Sequence, residues 1–205
     1  MILPNQLTVL RIALTPAFFI LIVYGDLSYN YFIATLLFTL ASLTDLYDGY
    51  IARKYGTVTK WGTFVDPLAD KLITDSALIG FVINGYLNIW MVLVIVVRDI
   101  VVTLLRLYSL RKNKPLKTET FAKWKTTFQF LLIAFILIYH NLVKNPFGYT
   151  LNPNVISYVN ESGLINTGLF VVVMITLYSG FRYYFGNRKI VRQIAVGIYR
   201  SLLNS

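Results

Sequence analysis

Six predominantly apolar stretches of this chain, most of them roughly 20 residues long, constrain its fold more than any other feature. They centre on residues 7–24, 31–43, 66–83, 89–110, 118–140 and 164–185. Inside a bilayer every backbone N–H and C=O must be satisfied by the chain itself, which leaves only helices and closed barrels. The period-two alternation of a barrel strand is lacking, so a β-barrel is excluded. Composition agrees: 57% of the residues are hydrophobic and 14% are charged, where a soluble domain has about a quarter charged. The expected fold is an all-α integral membrane protein with six transmembrane helices. A short N-terminal interfacial segment precedes them and a basic C-terminal tail follows. The whole of 1–205 is expected to be one membrane domain, with lead-in and helical core at 1–186 and the tail at 187–205.

The breaks between segments carry local signals. Pro4 suits a first helical turn. Arg11 lies near the start of the first segment, with a stem long enough to snorkel to the surface. Gly25 to Asn30 reads as a short turn, Lys54 to Trp61 as a basic loop, and Asn84-Gly85 as a tight turn. Pro67 suits the first turn of the third helix. Asn141 to Ser162, rich in Asn, Gly and Pro, reads as the longest loop. In the tail, Ile190, Ile194 and Ile198 recur every four residues, with Lys189, Arg192 and Arg200 roughly opposite. That pattern suits a helix lying on an anionic membrane surface, and a frayed tail is the alternative.

Basic residues set the expected orientation. One set of connections holds Arg53, Lys54 and Lys60, then Arg111, Lys112, Lys114 and Lys117, and then the tail. The opposite set holds only Lys144. Positive-inside bias puts the rich set, and both termini, in the cytoplasm. The net charge of +10 is therefore a topology and lipid signal, and a nucleic-acid partner is not expected. No cysteine is present, which excludes disulfides and thiol chemistry. The single His140 excludes a histidine-based zinc site or a Ser-His-Asp triad. A cleaved signal peptide is not expected, because the first apolar segment is too long and runs straight into the second.

Four carboxylates stand at the inner ends of the second and third segments. Acids in such a place are costly, and their default role is functional. Asp45 and Asp48 are three apart and share a helix face; Asp66 and Asp70 are four apart and share another. A short linker lets the two pairs converge. Four acids in one small volume repel unless a cation sits between them. Hard divalent ions such as Mg2+ or Mn2+ prefer such oxygen ligands, and a pair of them suits phosphoryl transfer. Gly49 and Ala52 keep the helix surface open beside the acids, Arg53 is a candidate phosphate clamp, and Gly62 opens the far side of the loop. Solvated helix-end charges are the plainer alternative for any one of these residues.

The run Asp45-x2-Asp48-Gly49-x2-Ala52-Arg53-x8-Gly62-x3-Asp66-x3-Asp70 resembles the complete signature of the CDP-alcohol phosphotransferases. That resemblance implies a six-helix, dimeric membrane enzyme that needs two divalent cations. Such enzymes join an alcohol to a phosphate-linked group carried by a CDP donor and release CMP. It also implies roles: Asp45, Asp48, Asp66 and Asp70 as metal ligands, and Asp70 as the base that takes the acceptor's hydroxyl proton. Gly49, Ala52, Arg53 and Gly62 would line the nucleotide and diphosphate site.

Four further segments, 4–11, 64–71, 97–106 and 122–127, resemble the bacterial phosphatidylglycerophosphate synthases within that family. This implies CDP-diacylglycerol as donor, glycerol 3-phosphate as acceptor, surrounding membrane lipids, a homodimer, and the bacterial inner membrane with the site facing the cytoplasm. Thr8 and Asn5 are candidates for the donor head group or for helix caps. Asp99 is a departure, since related synthases often carry Glu there, and little consequence is expected of it. The cations Arg98, Arg106, Lys123 and Lys125 are the candidate acceptor-phosphate ligands. Arg98 lies too deep for a loop and needs an anionic partner, for which Asp66, Asp70 or Asp75 is the structural alternative. Other acceptors stay open at this point, as in cardiolipin, phosphatidylserine or phosphatidylinositol-phosphate synthases. A cation channel or transporter also stays open, although its acids belong near the membrane midplane.

Overall fold

The computed structural model describes residues 3–25, 29–55, 60–111, 120–144, 148 and 151–203; within the helices, the side chains of residues 3–5, 45–46, 48–55, 60–64, 111, 120–123, 189–190 and 193–203 are outside the description. Seven helices, and no strand, occur among the described residues: α1 (Leu3–Val23), α2 (Asn30–Tyr55), α3 (Lys60–Ile83), α4 (Ile89–Arg111), α5 (Thr120–Lys144), α6 (Pro153–Glu161) and α7 (Leu164–Leu203). Three are long and apolar enough to cross a membrane, over Gln6–Val23, Trp124–Lys144 and Leu164–Arg188, and Asn30–Thr44 is a shorter apolar run. The acids and bases of α3 and α4 interrupt their apolar runs. The chain is an integral membrane protein.

Packing follows from small residues at the crossings. α1 lies against α2 and α3, α4 and α5 lie against α7, and α2–α5, α3–α4 and α3–α5 contacts join the two groups. Ala34, Ala41, Ala69 and Ala77 are fully buried, and small side chains let helix backbones approach closely. A Cβ added at Gly80 would stand 2.8 Å from Ile22 Cγ2, so α1 and α3 cross there with no room for one. The core is built from Phe18, Ile22, Phe38, Phe81, Ile95, Ile133, Ile136 and Leu169. Large apolar side chains such as Leu36, Leu40, Leu93, Leu104, Leu131, Phe170 and Phe181 cover the outside. That is the surface a lipid solvent requires.

At the ends away from the acids, the helices are tied by polar contacts. Asn84 donates to Ile22 O at 2.8 Å and to the Tyr31 hydroxyl at 3.0 Å. His140 stacks between Tyr31 and Tyr86, with ring centroids 5.0 and 3.9 Å away. The Asn84-Gly85 turn is as expected: Gly85 has φ +76°, and Tyr86 N donates to Phe81 O at 2.9 Å. This closes α3 in the left-handed manner that glycine permits.

Three expectations need correction. Pro67 lies inside α3, not in its first turn, so its missing N–H leaves the carbonyl one turn back without a helical partner. The 141–162 segment is not only loop, because α6 forms within it. Asn152 accepts from Asn154 N and Pro153 opens the helix, while Tyr139 Oη donates to Asn160 Oδ1 at 2.9 Å. The tail from 187 is neither a separate surface helix nor frayed up to Leu203. It continues α7 into a 40-residue helix, about 60 Å long at 1.5 Å per residue. No proline interrupts Leu164–Leu203, and the helix runs on through Gly186-Asn187.

Candidate active site

The acid-bearing stretch is helical on both sides of its linker. α2 runs unbroken through Asp45, Asp48, Gly49, Ala52 and Arg53, and α3 carries Gly62, Asp66 and Asp70. The side chains of Asp45, Asp48, Ala52 and Arg53, with Gly49 and Gly62, lie outside the described residues, as does that of Lys123. For the second acid pair the surroundings are described, and they come from α1. The Thr8 hydroxyl donates to Asp66 Oδ1 at 2.7 Å, and Arg11 pairs with Asp70. Thr8 and Arg11 are three apart on α1, and Asp66 and Asp70 are four apart on α3. One helical turn of each faces one turn of the other, which is how two contacts of this kind can form at once.

Arg11 therefore does not snorkel. Its side chain is 2% exposed, while that of Asp70 is 41% exposed. The arginine is a fixed cation behind an accessible acid. Thr8 touches an acid of the signature; Asn5 has no described side chain.

A second polar cluster lies between α3, α4, α5 and α7. Asp99, with a fully buried side chain, sits at its centre. Its Oδ2 is 2.5 Å from Lys125 Nζ and 3.2 Å from Lys71 Nζ, and its Oδ1 is 3.1 Å from an Arg98 nitrogen. Lys125 also donates to Gln129 Oε1 one turn on, and Arg98 also donates to Ser179 Oγ on α7 at 2.9 Å. Asp75 is close enough to feel Asp99, Lys71 and Lys125 electrostatically.

Arg98 thus pairs with Asp99, its own neighbour, and not with Asp66, Asp70 or Asp75. Arg98 and Lys125 meet in one cluster. Arg106, about 12 Å further along α4, is exposed. Asp99 itself, noted in the sequence only as an Asp where related synthases often carry Glu, is the shared partner of three cations. Sequence spacing missed Arg11, Lys71, Gln129 and Ser179. For two of them a signal was available: Gln129 and Ser179 are polar residues inside apolar spans, and each of those spans packs against a charge-bearing helix.

Residues 1–196 match the model of the CDP-alcohol phosphatidyltransferase family. The chain belongs to this family. A similar protein from Bacillus subtilis (strain 168), named CDP-diacylglycerol–glycerol-3-phosphate 3-phosphatidyltransferase, is 36% identical over 196 residues, 90% of this chain and 94% of that one. A protein of the same name from Escherichia coli (strain K12) is 31% identical over 186 residues, 88% of this chain and 92% of that one. The probable phosphatidylglycerophosphate synthase of Mycobacterium tuberculosis (strain ATCC 25618 / H37Rv) is 41% identical over 113 residues, 54% of each chain. As a CDP-alcohol phosphatidyltransferase the chain is a transferase, and its intramembrane charges are the groups on which transfer chemistry can be built.

Proposed function

We propose that this protein is a phosphatidylglycerophosphate synthase. It transfers the phosphatidyl group of CDP-diacylglycerol to the C1 hydroxyl of glycerol 3-phosphate and releases CMP. One observation carries the reading: relatives named for this reaction match over about nine-tenths of their own length, so whole molecules are alike and not only a shared motif. The described side chains support it. An accessible acid backed by a fixed cation stands on α1 and α3, and a cluster with cations in excess stands on α3, α4 and α5.

Asp45, Asp48, Asp66 and Asp70 are the residues that would hold two divalent cations, Mg2+ or Mn2+. An all-carboxylate set spread over two adjoining helices fits hard ions of this kind. When bound, they would neutralise the diphosphate of the donor and the charge that develops on the leaving CMP.

The protein's own groups do the rest. Asp70 accepts the proton of the C1 hydroxyl, and Arg11 holds that carboxylate in place. The freed oxygen attacks the lipid-side phosphorus of CDP-diacylglycerol in line. A new P–O bond forms, the bond to the CMP phosphate breaks, and CMP leaves with the electron pair. Gly49, Ala52 and Gly62 leave space for the nucleotide, and Arg53 binds the diphosphate. Arg98, Arg106, Lys123 and Lys125 bind the acceptor's phosphate. The donor's acyl chains never leave the bilayer, which is why the site belongs at a membrane face.

In this reading α1–α5 and α7 are six spans of one membrane domain in the bacterial inner membrane, paired as a homodimer. α6 has nine residues and is too short to cross. Both termini and the acid pairs face the cytoplasm, since the lysine- and arginine-rich connections lie on that side. Membrane vesicles test reaction and sidedness together. Inside-out vesicles given Mg2+ or Mn2+, CDP-diacylglycerol and external glycerol 3-phosphate should release CMP. Right-side-out vesicles should not, nor should serine or inositol phosphate serve as acceptor. Release with serine alone would overturn the acceptor assignment, and equal release from both vesicle types would overturn the sidedness.

A further inference from the structure

The mechanism above makes no use of Asp99, yet among the described residues no other acid is held by so many cations. Its side chain is 0% exposed. Lys71 on α3, Arg98 on α4 and Lys125 on α5 converge on its two oxygens, and Arg98 carries the connection to Ser179 on α7. Three helices meet at one carboxylate, and Arg98 extends the link to a fourth.

The donors of this cluster are not used up. An ammonium has three donors; Lys125 gives one to Asp99 and one to Gln129, which leaves a third. Arg98 gives one nitrogen to Asp99 and another to Ser179, and its Nε is buried with no hydrogen-bond partner among the described residues. Three cations face two acids, Asp99 and Asp75, so at least one positive charge is in excess. A buried excess charge with spare donors is the complement of an anion. Lys71 adds a second link, because it follows Asp70 directly on α3. The carboxylate that gathers the cations is therefore tied to the residue next to the proposed base.

We infer that Asp99 is a positioning residue for the acceptor: it holds Lys125 and Arg98 in the arrangement that takes the phosphate of glycerol 3-phosphate. This rests on the function proposed above and adds to it a residue outside the family signature and outside the metal site. Asp99 touches neither substrate nor reacting atoms. Its effect passes through the two cations.

The test separates acceptor from donor. In the purified, metal-supplied enzyme, Asp99→Asn should raise the KM for glycerol 3-phosphate by about ten-fold or more, while kcat and the KM for CDP-diacylglycerol stay within about three-fold. Asp99→Glu keeps the charge and should return the acceptor KM to within about three-fold of the parent. Ser179→Ala loosens Arg98 alone, and should raise the acceptor KM by roughly two- to five-fold. A readout free of turnover accompanies these: glycerol 3-phosphate should protect the parent protein and Asp99→Glu against thermal unfolding, and Asp99→Asn much less. Should Asp99→Asn fail to fold, Asp99→Glu and Ser179→Ala decide. An unchanged acceptor KM in Asp99→Asn and Ser179→Ala, in a parent that is active, overturns the inference and leaves the function standing. So do donor and acceptor KM rising together. A parent that never turns over glycerol 3-phosphate overturns the function, and this inference with it.

Discussion

Asp70→Asn is expected to lower CMP release by at least about 10^3-fold, because it removes a general base worth 10^2–10^4 and a metal-ligand charge together. The expectation comes from where the side chain sits. Asp70 is accessible on a helix whose neighbour supplies a buried arginine to it. Asparagine keeps a carbonyl oxygen for Arg11 to bond, so the fold should survive and the loss should be chemical. Thermal unfolding in detergent checks this, and should shift by only a few degrees. Residual activity within ten-fold of the parent would remove Asp70 from the base role. Thr8→Val is the graded companion. It deletes one hydrogen bond to Asp66, worth about 0.5–1.5 kcal/mol, and should slow turnover several-fold without abolishing it.

The second large effect is expected at Lys125. Its side chain is fully buried and lies 2.5 Å from a fully buried carboxylate. Lys125→Met keeps length and apolar volume but leaves Asp99 one cation short. Breaking a buried pair from one side costs about 3–5 kcal/mol, here at the lower end because Lys71 and Arg98 remain. The melting temperature should fall by several degrees, and kcat/KM for glycerol 3-phosphate by more than ten-fold, or about 1.4 kcal/mol. Removing both partners should cost less stability than the two single losses added together. Contacting residues couple in that way, and distant ones do not. Additive losses would show that Lys125 and Asp99 act apart.

The two halves of the site were not equally legible in the sequence. The acids were readable because their signal is local. Asp45 and Asp48, and Asp66 and Asp70, are helix-spaced pairs at the ends of apolar runs, and helix spacing survives folding. The acceptor cluster depends on how α3, α4, α5 and α7 rotate against one another. Nothing in the spacing of Arg98, Asp99 and Lys125 states that rotation. Hence Arg98 was offered three acids in sequence and took a fourth, its neighbour. Arg11 was misread for a related reason: a snorkelling arginine and one buried against a carboxylate look alike until the facing helix is known. The misplaced elements have local causes that can be named. Asn152-Pro153 marks a helix start as well as a loop, and Phe185 is followed by no residue that compels a stop. Pro67 was taken for a helix start, but the helix had already begun at Lys60.

The most direct test of the central claim follows the phosphorus. The purified protein, with Mg2+ or Mn2+, CDP-diacylglycerol and glycerol 3-phosphate labelled in its phosphate, should move the label into a lipid that carries two phosphates. One labelled lipid should form for each CMP released. Release of CMP with the label left in the aqueous phase would contradict phosphatidyl transfer to this acceptor.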